Sequence, residues 1–204
     1  MEVDIVTDAP VRYALSFTSG GLLVREASAV APVYLREQDW SQVRDAIDEA
    51  NLLQARTRAA GGRIAREVVQ RLSVLSPVEL ELLVHATLTE RGHVMWAAAC
   101  RRYALIGEFA EEVLRERFLT LARTVSYEDY DSFYRSKALW HDELGQVTET
   151  SYKKLRQVLF RMMTEAGLLD SKGSIEPALV SARVAVCLAE HTPSDIRFFP
   201  TRVA

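Results

Sequence analysis

The stretch from Thr148 to Leu169, TETSYKKLRQVLFRMMTEAGLL, contains the signals of one complete amphipathic helix. Apolar residues recur at three- and four-residue spacing, which places them on one face. They are Tyr152, Leu155, Val158, Leu159, Met162, Met163 and Ala166. The opposite face carries Lys153, Lys154, Arg156, Gln157, Arg161 and Thr164, with no acid among them. Because Gly167 and Leu168 form a typical stop signal, the stretch predicts a helix that packs on one side and exposes a basic side.

The same helical pattern extends along nearly the whole chain of 204 residues, in which Gly and Pro number only 9 and 6. Capping signals at Asp39 or Ser41, at Ser76 and at Ser126 each precede a segment with helical apolar spacing. Further helices are predicted over residues 19–37 with Ser19 as the cap, and over 57–75, 94–121 and 180–190, followed by a tail over 195–200. The predicted fold class is all-α, a globular helical protein with two helix-turn-helix-like motifs around a long central helix over 94–121.

The two motifs show a weak internal repeat. The segment 57–75 can be laid on the quoted helix at a constant offset of 91 residues. The aligned pairs include Thr57 with Thr148, Arg63 with Lys154, Val68 with Leu159 and Leu72 with Met163. Each segment is predicted to follow a shorter helix that bears a tryptophan, Trp40 or Trp140. We therefore expect two helical regions, 13–92 and 93–200, each with one motif, that together form one compact unit.

The net charge of −3, from 25 basic and 28 acidic residues, conceals strong segregation of charge. Residues 56–71 hold five arginines and one acid, Glu67, a local balance of +4. Residues 126–149 hold six acids and two basic residues, a balance of −4. Arg71 flanks the apolar stripe of its segment, so we expect it to pack its stem or form a salt bridge. The other basic residues are predicted to form two exposed surfaces.

A helix that is packed behind, basic in front and preceded by a shorter helix is typical of helix-turn-helix proteins, which place the second helix in the major groove. The first candidate DNA-binding surface comprises Arg56, Arg58, Arg63 and Arg66. The second comprises Thr150, Ser151, Lys153, Lys154, Arg156, Gln157 and Arg161. The cations would hold phosphates, Thr150 and Ser151 could donate to a phosphate, and Gln157 or Arg161 could reach a base edge. The competing interpretation is an ordinary solvated face, which explains most single basic helices.

No motif predicts catalysis, a cofactor or a metal. His141, Asp142 and Glu143 are adjacent but lack the further ligands of a metal site, and no P-loop, GxGxxG or GxSxG occurs. Cys100 and Cys187 are predicted to be buried free thiols. The start MEVDIVTDAP lacks the basic region of a signal peptide, and no run reaches the ~20 apolar residues of a membrane helix. We expect a cytoplasmic, non-enzymatic monomer with no membrane partner.

Several long stretches resemble the BrxA family of BREX phage-defence systems. They are YALSFTSGGLLVREA, WSQVRDAIDEANLLQARTRAAGGRIAREVVQRL, WAAACRRYALIGEFAEEVLRERF, KKLRQVLFRMMTEAGLL and DIRFFP, spread over residues 13–200. The resemblance implies an all-α protein with two helix-turn-helix motifs beside positive patches, and binding to double-stranded DNA. Other proteins of the same system are further expected partners. Gly61 and Gly62 interrupt the start of the first recognition helix.

Two alternatives stay open from the sequence. In one, the acidic and basic faces bind partner proteins of the same system, and the chain is an interaction subunit. In the other, the chain binds RNA, as all-helical antitermination proteins of the NusB type do. The lysines and arginines alone do not distinguish these ligands, since the backbones of DNA and RNA attract the same cations.

Overall fold

The computed structural model describes residues 12–202, whose regular structure is helical. The helices are α1 (Val24–Glu37), α2 (Trp40–Glu49), α3 (Arg58–Leu72), α4 (Pro77–His85), α5 (Leu88–Arg102), α6 (Ala104–Phe109), α7 (Glu116–Leu119), α8 (Tyr127–Lys137), α9 (Asp142–Gly145), α10 (Glu149–Glu165) and α11 (Ala182–Ala189). A π-helical segment (Ala110–Arg115) joins α6 to α7, and a 3-10 turn (Asp195–Phe198) follows α11. Within residues 12–202 there is no β-strand, only two isolated antiparallel bridges. The predicted all-α class is confirmed.

Side-chain caps fix where several helices begin. The Asp39 carboxylate accepts the Ser41 N–H at 2.6 Å at the start of α2. At α4, the Ser76 hydroxyl accepts the Glu79 N–H while the Glu79 carboxylate accepts the Ser76 N–H at 2.9 Å. Ser126 forms the same reciprocal box at α8. Each cap satisfies backbone donors that a helix start leaves free. Of the two caps considered for α2 it is Asp39 that is used, and the caps predicted at Ser76 and Ser126 are confirmed.

The end of α10 follows the predicted stop signal. Gly167 has φ of 73°, a left-handed conformation that glycine adopts without strain. Its N–H donates to the Thr164 carbonyl at 3.0 Å, and the Leu168 N–H donates to the Met163 carbonyl at 2.9 Å. This pair of bonds is a Schellman motif, and it folds the fully buried Leu168 back onto the helix.

Helix α1 begins later than predicted. Ser19 does not cap it, because the chain first turns through Gly20 with φ of 79° and Leu23 with φ of 62°, and the helix starts at Val24. The turn is held from outside by Glu165, whose carboxylate accepts the Leu22 N–H at 2.6 Å. Since that bond joins residues 143 positions apart, the local sequence does not reveal it.

The prediction of one central helix over 94–121 is wrong in two respects, because the helix starts earlier and is interrupted. A reciprocal box between Thr87 and Glu90 starts α5 at Leu88. The backbone then becomes extended at Tyr103, which ends α5 and redirects the chain into α6. The break brings Gly107 against the Cys100 carbonyl, so close that a Cβ there would lie 2.9 Å from the oxygen. The expected central position is nevertheless correct, since every residue of 92–100 is buried.

The predicted C-terminal tail packs into the core. The Trp96 indole N–H donates to the Phe198 carbonyl at 2.9 Å, and Phe199 is fully buried. Arg101 joins the 3-10 turn to α4, with Nε 2.5 Å from Asp195 and Nη2 2.5 Å from Glu79. These contacts fix residues 195–200 against α4 and α5.

Two further predictions concern the tryptophan before α10 and the two cysteines. Trp140 lies in the turn between α8 and α9 and is 76% exposed, so the element before α10 is the single turn α9 and bears no tryptophan. Cys100 and Cys187 are both buried free thiols, as predicted, and burial raises the pKa of each.

None of the helices within residues 12–202 is long and apolar enough to cross a bilayer. The N-terminal residues 1–11, on which the prediction about a signal peptide rests, lie outside the described residues. Hydrogen bonds from Tyr13 to Glu143 and from Leu22 to Glu165 connect the regions 13–92 and 93–200.

Candidate functional site

The first basic surface, called the α3 patch, consists of Arg56, Arg58, Arg63 and Arg66. Arg56 lies in the turn before α3 and the other three lie on the helix, which Thr57 caps by accepting the Ala60 N–H at 3.2 Å. All four arginines are exposed. Among residues 12–202, no carboxylate lies within 4.0 Å of any of them. The α3 patch therefore presents four arginines that form no ion pair with the described residues.

The remaining charges of the segment neutralise each other inside the protein. Arg71 is fully buried, and its Nη2 lies 2.8 Å from a carboxylate oxygen of Glu67, which is 4% exposed. The same oxygen accepts the Tyr103 hydroxyl at 2.6 Å. Arg71 Nη1 donates to the Gly21 carbonyl at 2.7 Å. This network anchors the rear of α3 and confirms the prediction that Arg71 packs or pairs.

The second basic surface, called the α10 patch, consists of Lys153, Lys154, Arg156 and Arg161. Three of these cations are paired, and two of the pairs lie on the helix itself at i, i+4 spacing. Lys153 Nζ lies 2.6 Å from Glu149, and Arg161 Nε lies 2.6 Å from Glu165. Exposed pairs of this kind are weak, so a phosphate could replace the carboxylates beside Lys153 and Arg161 with little loss of free energy. Acids at the two ends of α10 therefore partly compensate the charge of its basic face, although the face itself carries none.

Arg156 is the most constrained member of the α10 patch. Its Nη1 lies 2.6 Å from Asp131 of α8, and its guanidinium covers the Tyr127 ring at 4.3 Å from the centroid. Although burial raises the pKa of Asp131, hydrogen bonds from Tyr152 and Arg156 outweigh it and hold that pKa below its usual value. Arg156 therefore joins α10 to α8 and is half-buried, unlike the rest of the patch.

The polar residues predicted beside these cations are all exposed. Ser151 donates its backbone N–H to the Thr148 cap at 3.3 Å, and Thr150 projects from the same first turn. Lys154 has no carboxylate partner among the described residues and donates to Gln157 at 3.3 Å. Thr150, Lys153, Lys154 and Gln157 share the lining of one surface cleft of about 450 Å³. The structure thus brings most of the predicted second surface together.

Helices α3 and α10 both contribute to one cleft. Ile64 of α3 and Arg161 of α10 both line it, together with the turn around Gly20 and Gly21, and its volume is about 430 Å³. Arg71 binds the Gly21 carbonyl from the α3 side, and Glu165 binds the Leu22 N–H from the α10 side. The turn before α1 therefore bridges the two basic helices.

The internal repeat is visible in the caps. Thr57 accepts the N–H of Ala60, and Thr148 accepts the N–H of Ser151, so the offset of 91 residues aligns both the caps and the donors. Arg63 and Lys154 correspond at this offset, and both are exposed without an ion pair among the described residues. The preceding elements differ, since α2 has ten residues and α9 has four.

The histidine and the aromatic residues that the sequence also offered as candidates contact neighbouring side chains of the protein. His141 Nδ1 lies 3.2 Å from Glu143, and its ring stacks on Tyr13 with centroids 4.0 Å apart. Within residues 12–202, no group of three His, Cys, Asp or Glu side chains is placed to hold a metal ion. The aromatic residues of α8 contribute mainly to the core, since Tyr130, Phe133 and Tyr134 are buried.

Sequence reasoning missed the acids that compensate the α10 patch. Two of the partners were detectable, because Glu149 and Glu165 stand four residues from Lys153 and Arg161. The partner of Arg156 was not, since Asp131 lies 25 positions away on another helix. The α3 patch has no such acids within hydrogen-bonding distance in the described chain. Of the two predicted surfaces it is therefore the stronger candidate for binding an anionic ligand.

Comparison with known proteins identifies relatives over most of the chain. The BrxA family model matches residues 11–192. A BREX protein BrxA from Bacillus cereus (strain H3081.97) is 24% identical over 165 residues, which cover 80% of this chain and 82% of the relative. A BREX protein BrxA from Paramagnetospirillum magneticum (strain ATCC 700264 / AMB-1) is 26% identical over 166 residues, 80% and 83% of the two chains.

A third relative and a solved structure extend the comparison. A BREX protein BrxA from Escherichia coli O9:H4 (strain HS) is 23% identical over 152 residues, covering 74% of this chain and 71% of the relative. The fold is similar to a crystal structure of an uncharacterized protein from Magnetospirillum magneticum, with a TM-score of 0.78 and 20% identity. That alignment covers 93% of this chain and 98% of the other.

Proposed function

Because the chain belongs to the BrxA family of BREX phage-defence systems, we propose that it is a non-enzymatic protein that binds double-stranded DNA. The observation that carries this proposal is the α3 patch, four exposed arginines without a carboxylate within 4.0 Å among residues 12–202. Exposed arginines are normally interspersed with acids, and a cluster that lacks them attracts a polyanion. Duplex DNA carries one negative charge per ~1.7 Å of axis and is a polyanion of this kind.

The α10 patch supports the same role as a weaker, second contact. Lys154 is exposed and unpaired in the described chain, and Lys153 and Arg161 hold only exposed i, i+4 partners. Thr150, Ser151 and Gln157 provide neutral donors for phosphate or base edges on the same surface. Arg156 contributes less, because Asp131 and Tyr127 already hold its guanidinium. Phosphate contacts outnumber candidate base contacts, so the expected sequence preference is modest.

The salt dependence gives a quantitative expectation. Each phosphate contact contributes about 0.9 to the slope of log K against log salt, so four contacts give a slope of about −3.6. A fourfold rise in salt would then weaken binding roughly 150-fold. Contacts from the α10 patch would steepen this dependence further.

The test is a fluorescence anisotropy titration of a labelled duplex at several salt concentrations. Arg63→Ala with Arg66→Ala is compared with Arg123→Ala with Arg135→Ala, which changes the net charge equally at exposed arginines outside both patches. We expect the first pair to reduce the salt slope by about 1.8 and the control pair to leave it nearly unchanged. Equal losses in the two variants would show only general electrostatic attraction and would remove the α3 patch from the proposal.

Competition with structured RNA belongs to the same experiment. The duplex and an RNA hairpin of equal length compete for the wild-type protein at one salt concentration. If the RNA displaces the duplex at far lower concentration, the ligand is RNA and the DNA proposal is wrong.

A protein-binding role is the second candidate, and one observation favours it. Leu139 and Trp140 are adjacent in the turn after α8 and are 78% and 76% exposed. Large apolar side chains placed together on a surface are typical of protein contacts. Co-purification with proteins of the same defence system, after nuclease treatment and in high salt, should be lost in Trp140→Ala. Retention by that variant would exclude this turn as the contact.

A further inference from the structure

Helix α3 carries a glycine that its own fold does not require. A Cβ built at Gly62 meets no atom within 4 Å, and Gly62 is not among the residues with positive φ. Gly107 differs, because a Cβ there would lie 2.9 Å from the Cys100 carbonyl oxygen. Glycine inside a helix is less favourable than alanine. The chain therefore keeps a helix-weakening residue at a position where the folded protein has room for a side chain.

The position of Gly62 within the α3 patch suggests what needs that room. Gly62 lies four residues after Arg58 and four residues before Arg66, so the three stand in one row along the helix. Both arginines are exposed, and Ala59, the small residue beside this row, is exposed as well. This row is thus bare at its midpoint and cationic at both ends, and the exposed Arg63 stands beside Gly62.

The dimensions of this row match a groove of duplex DNA. Arg58 and Arg66 are eight residues apart, which is ~12 Å along the helix axis. The major groove of B-DNA is ~12 Å wide. A helix surface without a side chain at its midpoint can come closer to the duplex than one with a side chain, while the flanking arginines reach phosphates on either side.

We propose that Gly62 is the point of closest approach between the protein and DNA, and hence that α3, rather than α10, is the helix that enters the major groove. This inference rests on the proposed function. α10 is the poorer candidate for close approach, because Glu149 and Glu165 stand at its two ends beside Lys153 and Arg161. Gly62 acts as a positioning residue, since it contributes no contact of its own and determines how near the arginines come.

Substitution of Gly62 by alanine separates this role from a merely structural one. The added methyl group fits the free protein and improves helix propensity, so Gly62→Ala should raise the Tm by ~2–4 °C. The same methyl group should weaken duplex binding about tenfold, and Gly62→Leu should weaken it further. Gly145→Ala is the matched control, because a Cβ at Gly145 also meets no atom within 4 Å and α9 lies outside both patches.

The outcomes distinguish this inference from the function on which it rests. A stabilised Gly62→Ala protein with weakened binding, beside a Gly145→Ala protein with wild-type binding, supports the inference. Wild-type affinity in both Gly62 variants overturns it and leaves DNA binding through the arginines intact. Absence of duplex binding by the wild-type protein at low salt overturns the proposed function and this inference together.

Discussion

Removal of one partner from the buried Glu67–Arg71 pair should strongly destabilise the protein. Arg71 is fully buried, and Arg71→Met would leave the Glu67 carboxylate inside with the Tyr103 hydroxyl as its close donor. The substitution also removes the donor of the Gly21 carbonyl. Breaking a buried pair in this way lowers the free energy of unfolding by about 3–5 kcal/mol. In a chain of this length, that corresponds to a fall in Tm of roughly 6–20 °C.

The internal repeat supplies a compensating variant. At the offset of 91 residues, Val158 and Met162 of α10 occupy the positions of Glu67 and Arg71, and both are buried. Glu67→Val with Arg71→Met therefore copies a pair that already packs on the related helix. The double variant has no buried charge at this site, but the Tyr103 hydroxyl loses its close acceptor, which costs about 1–3 kcal/mol, as does the lost donor to the Gly21 carbonyl.

The expected result is strong coupling between the two substitutions. We expect the double variant to be no less stable than Arg71→Met alone, whereas independent substitutions would add to roughly 6–10 kcal/mol of lost stability. Urea unfolding followed by circular dichroism measures all four proteins of the cycle. Additive losses, or a loss below about 1 kcal/mol for Arg71→Met alone, would refute the idea that this pair anchors α3.

Three further predictions concern single substitutions. Glu149→Gln should strengthen duplex binding several-fold at low salt, because it releases Lys153 and removes a charge that repels phosphate; an unchanged Kd in an anisotropy titration would contradict this. The Glu79 pKa is lowered, because hydrogen bonds from Arg101 and a backbone N–H outweigh the burial that raises it. Its stabilising effect is therefore present above the ordinary value of 4.5 and is lost as the pH falls below it, so urea midpoints should decline more steeply with acid in the wild type than in Glu79→Gln. Gly107→Ala should lower the free energy of unfolding by about 1–3 kcal/mol, because its Cβ meets a carbonyl oxygen at 2.9 Å; a wild-type Tm would show that the contact relaxes freely.

Features set by neighbouring residues were predictable from the sequence. The caps at Asp39, Ser76 and Ser126 and the stop at Gly167 each depend on residues within about four positions, and each occurs where predicted. The start of α1 depends on Glu165, 143 positions from Leu22, and was predicted wrongly.

The same distinction applies to the candidate site. The amphipathic pattern identified the exposed arginines of α3 and the burial of Arg71, since period and composition decide which side faces the core. The pairing of Arg156 with Asp131 required the packing of α8 against α10, which a pattern along one helix does not contain. The empty space beside Gly62 is likewise a property of the assembled surface.

The turn at residues 20–23 has a mechanical consequence for the whole molecule. Arg71 donates to the Gly21 carbonyl and Glu165 accepts the Leu22 N–H, and because these two groups belong to one planar peptide unit, that single unit links α3 to α10. One residue inserted between Gly21 and Leu22 would separate this carbonyl from this N–H by up to ~3.5 Å and so shift the helices against each other. Chains that differ in this turn would thus hold their cationic helices in a different relative register, even with every arginine and lysine retained.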